Sequence, residues 1–374
     1  MNCRAYRSLF LVICFCVSFC TPETVTQSGS PIGLRTFRHL MATLSEPEGF
    51  FDSDNFVSNE GAYLKILPAL KNLGVQGGAY LGVGPDQNYS YIAAIRPSLA
   101  IIADIRRQNA LQHLYFKSLF QLSSTRAQYL ARLFGRRINA SPERTKNSNI
   151  SELLILIDRA PQDQTFEQIN ELEANRVVRS WDLGLRDADF EVIQRIAHAF
   201  VEGGPDLKFT SYHRAPRSYH PTYRRLLEET DSQKVQSNYL ADEEKFQFIK
   251  NLHSQNRIVP IVGDLAGSFA IRRTAAELRR RKLTITCLYV SNVERYLFGG
   301  ERWQTYIQNL NLLPREANAC LIRSYANRWK QYPAPNARYY MSTALELLST
   351  FLEEESLGTH KTYWDVIGGG YSGY

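Results

Sequence analysis

Cysteine is almost absent from the sequence beyond residue 20. The chain contains six cysteines, but four of them fall within the first 20 residues, and Cys287 and Cys320 are the two that follow. Two cysteines can form at most one disulfide, and neither has a neighbour at the spacing of a zinc site. The composition therefore excludes a domain that is stabilised by a set of disulfides or by a cysteine-bound zinc ion. We predict no metal site.

A strong excess of one charge is also lacking. The formal net charge is +7 in 374 residues, and the basic residues do not gather into the dense stripe that is typical of nucleic-acid binding. Hydrophobic residues make up 44% and charged residues 22% of the chain, which are ordinary values for a globular protein. We expect a folded protein with no nucleic-acid partner.

The start of the chain has the pattern of an export signal. Arg4 and Arg7 precede an apolar run over residues 9–19 that is too short for a comfortable membrane span. Cys20 resembles the acylated cysteine of a bacterial lipoprotein. We therefore expect residues 1–20 to be a signal peptide or lipoprotein leader that brings an exported protein to a membrane surface. The alternatives are a secreted or periplasmic protein and an uncleaved anchor that faces the cytoplasm.

The rest of the sequence alternates between apolar runs and amphipathic segments. Continuous apolar runs such as "SLAIIADI" are typical of parallel strands that are buried on both faces, and the segments between them have helical spacing. The alternation starts near residue 79, stops near 138 and returns at 258. It predicts an α/β fold with a doubly wound, mostly parallel sheet and a large, mainly helical insertion.

These patterns also predict the organisation of the chain and of its last elements. Near the end we expect a strand over 319–325 and a helix over about 338–353. The predicted segments are the leader at 1–20, a linker at 21–32, the first part of a Rossmann-like domain with N-terminal helices at 33–137, the helical insertion at 138–257, the second part of the domain at 258–360 and a flexible tail at 361–374.

The segment "YLGVGPDQN" joins the first predicted strand to the next helix. Gly82 and Gly84 suit a sharp strand-to-helix turn that a ligand can approach closely. Asp104 follows Gly84 by about 20 residues, at the end of the second strand, where an acid accepts hydrogen bonds from ribose hydroxyls. Gln87 stands where a dinucleotide fingerprint has its third glycine, which disfavours NAD and FAD. An ordinary tight turn with a solvated Asp104 is the alternative.

Two later strand ends carry further polar residues. "VGDLAG" places Asp264 after the third strand, where an acid can hold adenine, and "YVSNVE" places Ser291, Asn292 and Glu294 after the fourth strand. Because the carboxyl ends of parallel strands share one edge of a sheet, we expect these residues near the glycine turn. Caps of strand ends are the alternative.

The glycine turn and the strand ends carry a family resemblance. "GVGPDQN", "ADIRRQN" and "YVSNVERYL" resemble class I S-adenosylmethionine-dependent transferases over about residues 55–330. "LQHLYFKSLFQLS" and "YLARLFGRR" are similar to bacterial diacylglycerol 3-amino-3-carboxypropyl transferases, which make betaine lipids. The whole chain resembles a bacterial family, sometimes exported, that carries "FDSDNFVSNE" and "GDLAG". It departs from the transferases at Tyr80, where an acid usually helps to hold the amino-acid end of the cofactor.

The resemblance implies S-adenosylmethionine as the cofactor. It implies transfer of a methyl or 3-amino-3-carboxypropyl group to a small or lipid acceptor. A competing hypothesis, favoured by Tyr80 and the leader, is an exported, membrane-anchored binding or envelope protein without catalysis. The implied cofactor-binding residues are Gly82, Gly84, Gln87, Asn88, Asp104, Asp264, Ser291 and Asn292.

Other residues are candidates for catalysis and substrate binding. Glu294 is a candidate general base or amine binder, and Tyr63 is the second candidate catalytic residue. Glu60 precedes the first strand and is a candidate substrate contact. The carboxylates could instead cap helices.

The segment "SYHRAPRSYHPTYRR" combines basic and aromatic residues. Guanidinium groups pair with phosphate and tyrosines suit a membrane interface, so the segment is a candidate for contact with an anionic head group or an acidic membrane surface. An exposed loop is the alternative. The candidate substrate-binding residues in it are His213, Arg217 and His220.

Overall fold

The computed structural model describes residues 29–214, 217–326 and 339–368. The predicted leader at 1–20, with Cys20, lies outside the described residues, as does most of the predicted linker. Export, acylation and membrane attachment therefore stay predictions. Within the described ranges, no helix combines the length and the apolar character that a membrane span requires.

The described residues form one sheet of six strands. The strands stand in the order β3-β2-β1-β4-β5-β6; neighbours among the first five run parallel, and β6 runs antiparallel to β5. This confirms an α/β fold with a mostly parallel sheet. The strands are β1 (Ala79–Gly82), β2 (Leu99–Asp104), β3 (Ile258–Val262), β4 (Ile285–Ser291), β5 (Arg315–Ala326) and β6 (Met341–Leu347).

Helices precede, connect and follow the strands. Those before β3 are α1 (Leu34–Leu44), α2 (Leu67–Asn72), α3 (Gln87–Ile95), α4 (Arg107–Leu122), α5 (Arg126–Leu133), α6 (Pro142–Asn147), α7 (Ile150–Arg159), α8 (Gln164–Ser180), α9 (Asp187–Gly203), a 3₁₀ turn (Gly204–Asp206), α10 (Tyr223–Leu227) and α11 (Glu243–Ser254). Those after β3 are α12 (Ala270–Arg280), α13 (Glu294–Leu297), α14 (Glu301–Leu312), α15 (Leu348–Ser356) and α16 (Tyr363–Gly368).

Helices cover both faces of the sheet. Every residue of β1, β2 and β3 is buried, which accounts for their continuous apolar runs. The crossovers from β1 through α3 and from β2 through α4 run towards β3, whereas α12 and α14 lead in the opposite direction. Since such crossovers are right-handed, the two groups of helices lie on opposite faces.

The inserted residues 138–257 add helices α6 to α11 and no strand to the sheet. Helix α11 packs on α3 and α4, and α8 and α9 pack on α4. The segment between β2 and β3 therefore thickens one helical layer of the same body.

The end of the chain differs from the sequence prediction in two places. The helix expected over 338–353 is instead strand β6 followed by α15, because seven residue pairs join β6 to β5 and outweigh the helix propensity of its Ala, Leu and Glu. The expected loose tail contains α16, in which Val366 and Ile367 are buried. Their burial against the sheet edge holds this last helix in place.

A buried carboxylate joins the insertion to the first strand-to-helix turn. Asp86, just before α3, accepts hydrogen bonds from the hydroxyls of Tyr223 (2.5 Å) and Tyr239 (2.9 Å). Its side chain has no basic partner in the described ranges. Burial raises the pKa of Asp86 to about 6, and the two tyrosine hydroxyls offset part of that rise.

The raised pKa makes stability depend on pH. Because folded Asp86 binds its proton more tightly than unfolded Asp86, its contribution is most favourable below pH about 4 and is lost as the pH rises to about 6. The change from 3.8 to about 6 corresponds to about 3 kcal/mol of unfolding free energy. Asp86→Asn should remove this component, measured as urea unfolding at pH 4 and pH 7. An exposed control, Asp187→Asn, should retain it; equal pH dependence in all three proteins contradicts the assignment.

Candidate functional site

A cavity of about 410 Å³ lies at the carboxyl ends of β1, β2, β3 and β4. Strand β1 lies between β2 and β4, so the direction of the crossovers reverses at this point. Ligands of open α/β sheets bind in the crevice outside such a reversal. Seven residues that the sequence singled out line the cavity: Glu60, Gly84, Gln87, Asp104, Asp264, Ser291 and Asn292.

The turn after β1 is shaped from its inner side by Asn88. The Asn88 amide donates to the carbonyls of Val83 (2.8 Å) and Pro85 (2.7 Å), and its Oδ1 accepts from the hydroxyl of Tyr80 (2.8 Å). A Cβ at Gly82 would overlap Asn88 and Tyr80. Gly82 and Asn88 thus build the turn and lie outside the cavity wall, and Tyr80 orients Asn88 where the transferases carry an acid.

Gly84 is the glycine of this turn that lines the cavity, and it has φ of +82°. Its carbonyl lies 3.0 Å from His113 Nε2, and the Tyr89 hydroxyl lies 2.7 Å from His113 Nδ1. Burial lowers the pKa of His113 to about 4, so the neutral ring donates from Nε2 to Gly84 and accepts at Nδ1 from Tyr89. His113 therefore fixes the turn from behind, although no motif in its helix indicated this.

Asp104 ends β2 in the cavity wall, where an arginine already holds it. Arg106 donates from its backbone N–H (3.0 Å) and Nε (2.9 Å) to Asp104 Oδ1, and from Nη2 (2.6 Å) to Oδ2. Both side chains are largely buried. The carboxylate is thus oriented and neutralised within the chain.

Arg106 also holds the residues that cover the cavity. We call residues 45–60 the cover segment. Arg106 Nη1 donates to the carbonyls of Ser53 (3.0 Å) and Asp54 (3.1 Å), and Gln112 donates to the carbonyl of Phe56 (2.6 Å). These bonds lay the cover segment across the carboxyl edge of the sheet. The sequence does not reveal this role of Arg106, because Ser53 and Asp54 lie about 50 residues before it in the chain.

Asp264 follows β3 and is held from two sides. Its Oδ1 accepts from the Ala266 N–H (2.8 Å), and its Oδ2 pairs with Arg302 at the rim of the cavity. Glu46 of the cover segment accepts from the backbone N–H of Asp264 (2.6 Å) and of Ala270 (3.2 Å), the first residue of α12. A carboxylate thus caps α12 where the cover segment meets β3.

Glu60 lies on the floor of the cavity among hydroxyl groups. Its Oε2 accepts from Tyr289 (2.6 Å) and Ser324 (2.6 Å), and its Oε1 accepts from Ser291. Gln87 donates from Nε2 to the same tyrosine hydroxyl (2.6 Å). Burial raises the pKa of Glu60, and the three hydroxyls offset part of the rise.

Backbone strain is found in two residues of the cavity wall. Ser291 has φ of +54° and Asn55 has φ of +48°, both in the left-handed region that non-glycine residues seldom occupy. Such conformations cost free energy and cluster at ligand sites. The strained backbone directs the Ser291 hydroxyl to Glu60.

The structure does not bring Glu294 to the cavity wall that the described residues form. Glu294 is fully buried, accepts from Arg323 Nε (2.7 Å) and from the Tyr306 hydroxyl (2.9 Å), and shares Arg323 with Glu346. These contacts give Glu294 a place in a buried ion-pair network. The Glu294 carboxylate is therefore engaged with Arg323 and Tyr306 and is not placed to act as a base on a ligand in the cavity.

The remaining candidates also lie away from the cavity wall. Tyr63 is buried, donates to the Leu226 carbonyl (3.0 Å) and accepts from Asn238 (2.7 Å). These bonds join the residues just after the cover segment to the insertion. In the basic aromatic segment, His213 is exposed, Arg217 pairs with the Tyr219 hydroxyl, and His220 packs edge-on against Phe209. Phe209 itself lines the cavity, so His220 supports the wall from behind.

The network around Arg323 predicts a structural role for Glu294. Glu294→Ala leaves the guanidinium with one carboxylate partner in a fully buried site, and loss of one member of such a pair costs about 3–5 kcal/mol. Chemical denaturation should show this loss, whereas exposed Arg295→Ala should change stability by about 0.5 kcal/mol or less. An unchanged unfolding free energy in Glu294→Ala contradicts the role.

The chain also matches a known family over most of its length. The model of a family described as a domain of unknown function (DUF7790) matches residues 55–147 and 149–365. A search of the curated proteins finds no match. The matched ranges contain all six strands and the cavity residues Glu60, Gln87, Asp104, Asp264 and Ser291. Since the match covers well over half of the sequence, the chain belongs to the DUF7790 family.

Proposed function

We propose that the protein is an S-adenosylmethionine-dependent transferase-like protein of Rossmann-like fold. The cofactor would lie in the cavity, and a methyl or 3-amino-3-carboxypropyl group would pass to a small or lipid acceptor. The observation that carries the proposal is the meeting of Gly84, Asp104, Asp264 and Ser291 at the reversal of the sheet. The strand order 3-2-1-4-5-6 is the order of doubly wound nucleotide-binding sheets and supports it.

Asp104 keeps the capacity to bind a ribose. A carboxylate has about four acceptor positions, and Arg106 uses three of them through two bonds to Oδ1 and one to Oδ2. One position on Oδ2 is left for a ribose hydroxyl. Because Arg106 fixes the carboxylate beforehand, this hydrogen bond would form without further ordering of the side chain.

The size and lining of the cavity suit a nucleoside ligand. A volume of about 410 Å³ lies within the range of small-molecule sites. Phe51 and Tyr296 meet edge to face at 5.5 Å in the wall, and Phe209 and Leu265 add apolar surface. Aromatic and aliphatic side chains of this kind pack against a base. Asp264, after β3, supplies the polar group that the resemblance assigns to adenine.

The chemistry of a transferase would come from the cofactor. Bound S-adenosylmethionine supplies a sulfonium whose attached carbons are electrophilic, so the protein has to position an acceptor and exclude water. Asn292 and Tyr296 line the wall after β4. We assign Asn292 to the cofactor and Tyr296 to the acceptor side. Glu294 and Tyr63 are not needed in this assignment, since each is engaged in packing.

A specific observation favours a second candidate function, an exported binding or envelope protein that does not catalyse transfer. Both strand-end acids already have arginine partners, Arg106 for Asp104 and Arg302 for Asp264. A scaffold that had lost its cofactor could keep its acids neutralised in this way. Binding measurements separate this candidate from the first.

Calorimetric titration with S-adenosylmethionine, S-adenosylhomocysteine and NAD tests the proposal. We expect the first two ligands to bind with Kd on the order of micromolar, and NAD to bind far more weakly because the turn lacks a pyrophosphate site. In Asn292→Trp the larger side chain should fill part of the cavity and abolish binding. Asn311 is exposed on α14, so Asn311→Trp should leave binding unchanged. No heat with any ligand favours the second candidate function.

The ribose assignment of Asp104 has its own test. Asp104→Asn should weaken S-adenosylhomocysteine binding about tenfold or more, because a hydrogen bond to a charged acceptor is lost. The 2′-deoxy and 3′-deoxy analogues of S-adenosylhomocysteine separate the loss of this hydrogen bond from a general disturbance of the cavity. At least one analogue should bind the wild type weakly, and Asp104→Asn should reduce the affinity for that analogue only slightly further. If the variant weakens all three ligands equally, Asp104 acts through Arg106 and not on ribose.

A further inference from the structure

The floor of the cavity holds a carboxylate that lacks a cation. Glu60 is 2% exposed. Its three hydrogen-bond partners are hydroxyls, and among the described residues no basic group contributes to its electrostatic surroundings. The other acids of the wall, Asp104 and Asp264, each pair with an arginine. Glu60 is therefore the acid in this wall for which the described chain supplies no positive charge.

The hydroxyl beside Glu60 has a fixed direction. Gln87 donates from Nε2 to the Tyr289 oxygen (2.6 Å), so the single hydroxyl hydrogen of Tyr289 is directed to Glu60 Oε2 (2.6 Å). Ser291 and Ser324 have hydrogens to donate to the same carboxylate. The three hydroxyl donors favour the ionised form of Glu60 and offset part of the rise in its pKa that burial causes.

The same hydrogen bond leaves the other end of the Gln87 amide without a partner. Gln87 is 6% exposed and lines the cavity, and its Oε1 has no hydrogen-bond partner among the described residues. A buried acceptor without a donor is unfavourable, because it has lost its hydrogen bond to water and gained no partner in the protein. An orphaned acceptor and an uncompensated carboxylate therefore occupy one small region of the wall.

The chemistry that satisfies both groups is a small cation with N–H donors. A primary ammonium carries one positive charge and three N–H donors and accepts no hydrogen bond. One of its N–H groups would donate a hydrogen bond to Gln87 Oε1, and its positive charge would offset the charge of Glu60 in a region with little water. A neutral hydroxyl would satisfy Gln87 and leave the carboxylate uncompensated.

We propose that Gln87 Oε1 and the Glu60 carboxylate form a subsite for a primary ammonium group of the ligand. The inference rests on the proposed function in one respect, since the amino-acid end of S-adenosylmethionine carries such a group. Glu60 then takes over the role of the acid that Tyr80 replaces in the transferase pattern. The subsite itself requires an amine and not a nucleoside, so it is testable separately.

The first test compares S-adenosylhomocysteine with its deamino analogue, S-adenosyl-4-thiobutanoate, by calorimetry. Wild type should bind the amine about tenfold more tightly or better, which is the loss expected for a charged hydrogen bond. Glu60→Gln and Gln87→Leu should each remove this preference and leave affinity for the deamino analogue nearly unchanged. Glu277→Gln, paired with arginines on α12 away from the cavity, is the matched control and should keep the preference.

Equal affinity of wild type for both ligands overturns the subsite and leaves the nucleoside proposal standing. Equal weakening of both ligands by Glu60→Gln, with a lowered unfolding temperature, assigns Glu60 to packing and also overturns it. Retained preference in Gln87→Leu overturns the role of Gln87 Oε1.

A second arm covers the case in which no nucleoside binds and the proposed function fails. L-Methioninamide carries the ammonium, and 4-(methylthio)butanamide is its counterpart without the amine. The amine should raise the unfolding temperature of wild type and not of Glu60→Gln, and the neutral counterpart should raise neither. No shift with L-methioninamide in wild type overturns the ammonium subsite.

Discussion

The pairing of Arg106 with Asp104 is the interaction on which the cavity depends. One guanidinium holds the acid at the end of β2 and also the carbonyls of Ser53 and Asp54. Charge-assisted bonds of this kind are short and strong in a site with little water. They place the cover segment over the carboxyl edge of the sheet, so an open crevice becomes a walled cavity.

Three acids of the wall have different roles because their surroundings differ. Arginines neutralise Asp104 and Asp264, so these acids can accept hydrogen bonds from a neutral ligand and need no further positive charge. Glu60 receives hydroxyl hydrogens alone among the described contacts, and its buried charge calls for a positive group. We therefore propose that one side of the wall binds neutral polar groups and that Glu60, on the floor, binds a cation. A nucleoside joined to an amino acid combines the two.

Much of the fold and part of the site follow from the sequence. Parallel strands end at one edge of a sheet, so strand-end residues such as Asp104, Asp264 and Ser291 had to meet near Gly84. Strand β6 was not predictable, because pairing with β5 overrides a local preference for helix. The residues that hold the cavity wall in place were not predictable either, because their contacts are set by the tertiary fold and not by local sequence. Arg106 and His113 also hold the carbonyls of Ser53 and Gly84, which lie far from them in sequence. Glu294 bonds to Arg323, a partner that its place after β4 does not reveal.

The most direct measurement is a crystal structure of the protein grown with saturating S-adenosylhomocysteine. We expect electron density in the cavity, a ribose hydroxyl on Asp104 Oδ2 and the amino nitrogen within hydrogen-bond distance of Gln87 Oε1. An empty cavity, or a ligand bound elsewhere on the surface, would contradict the claim that this reversal of the sheet is a nucleoside site.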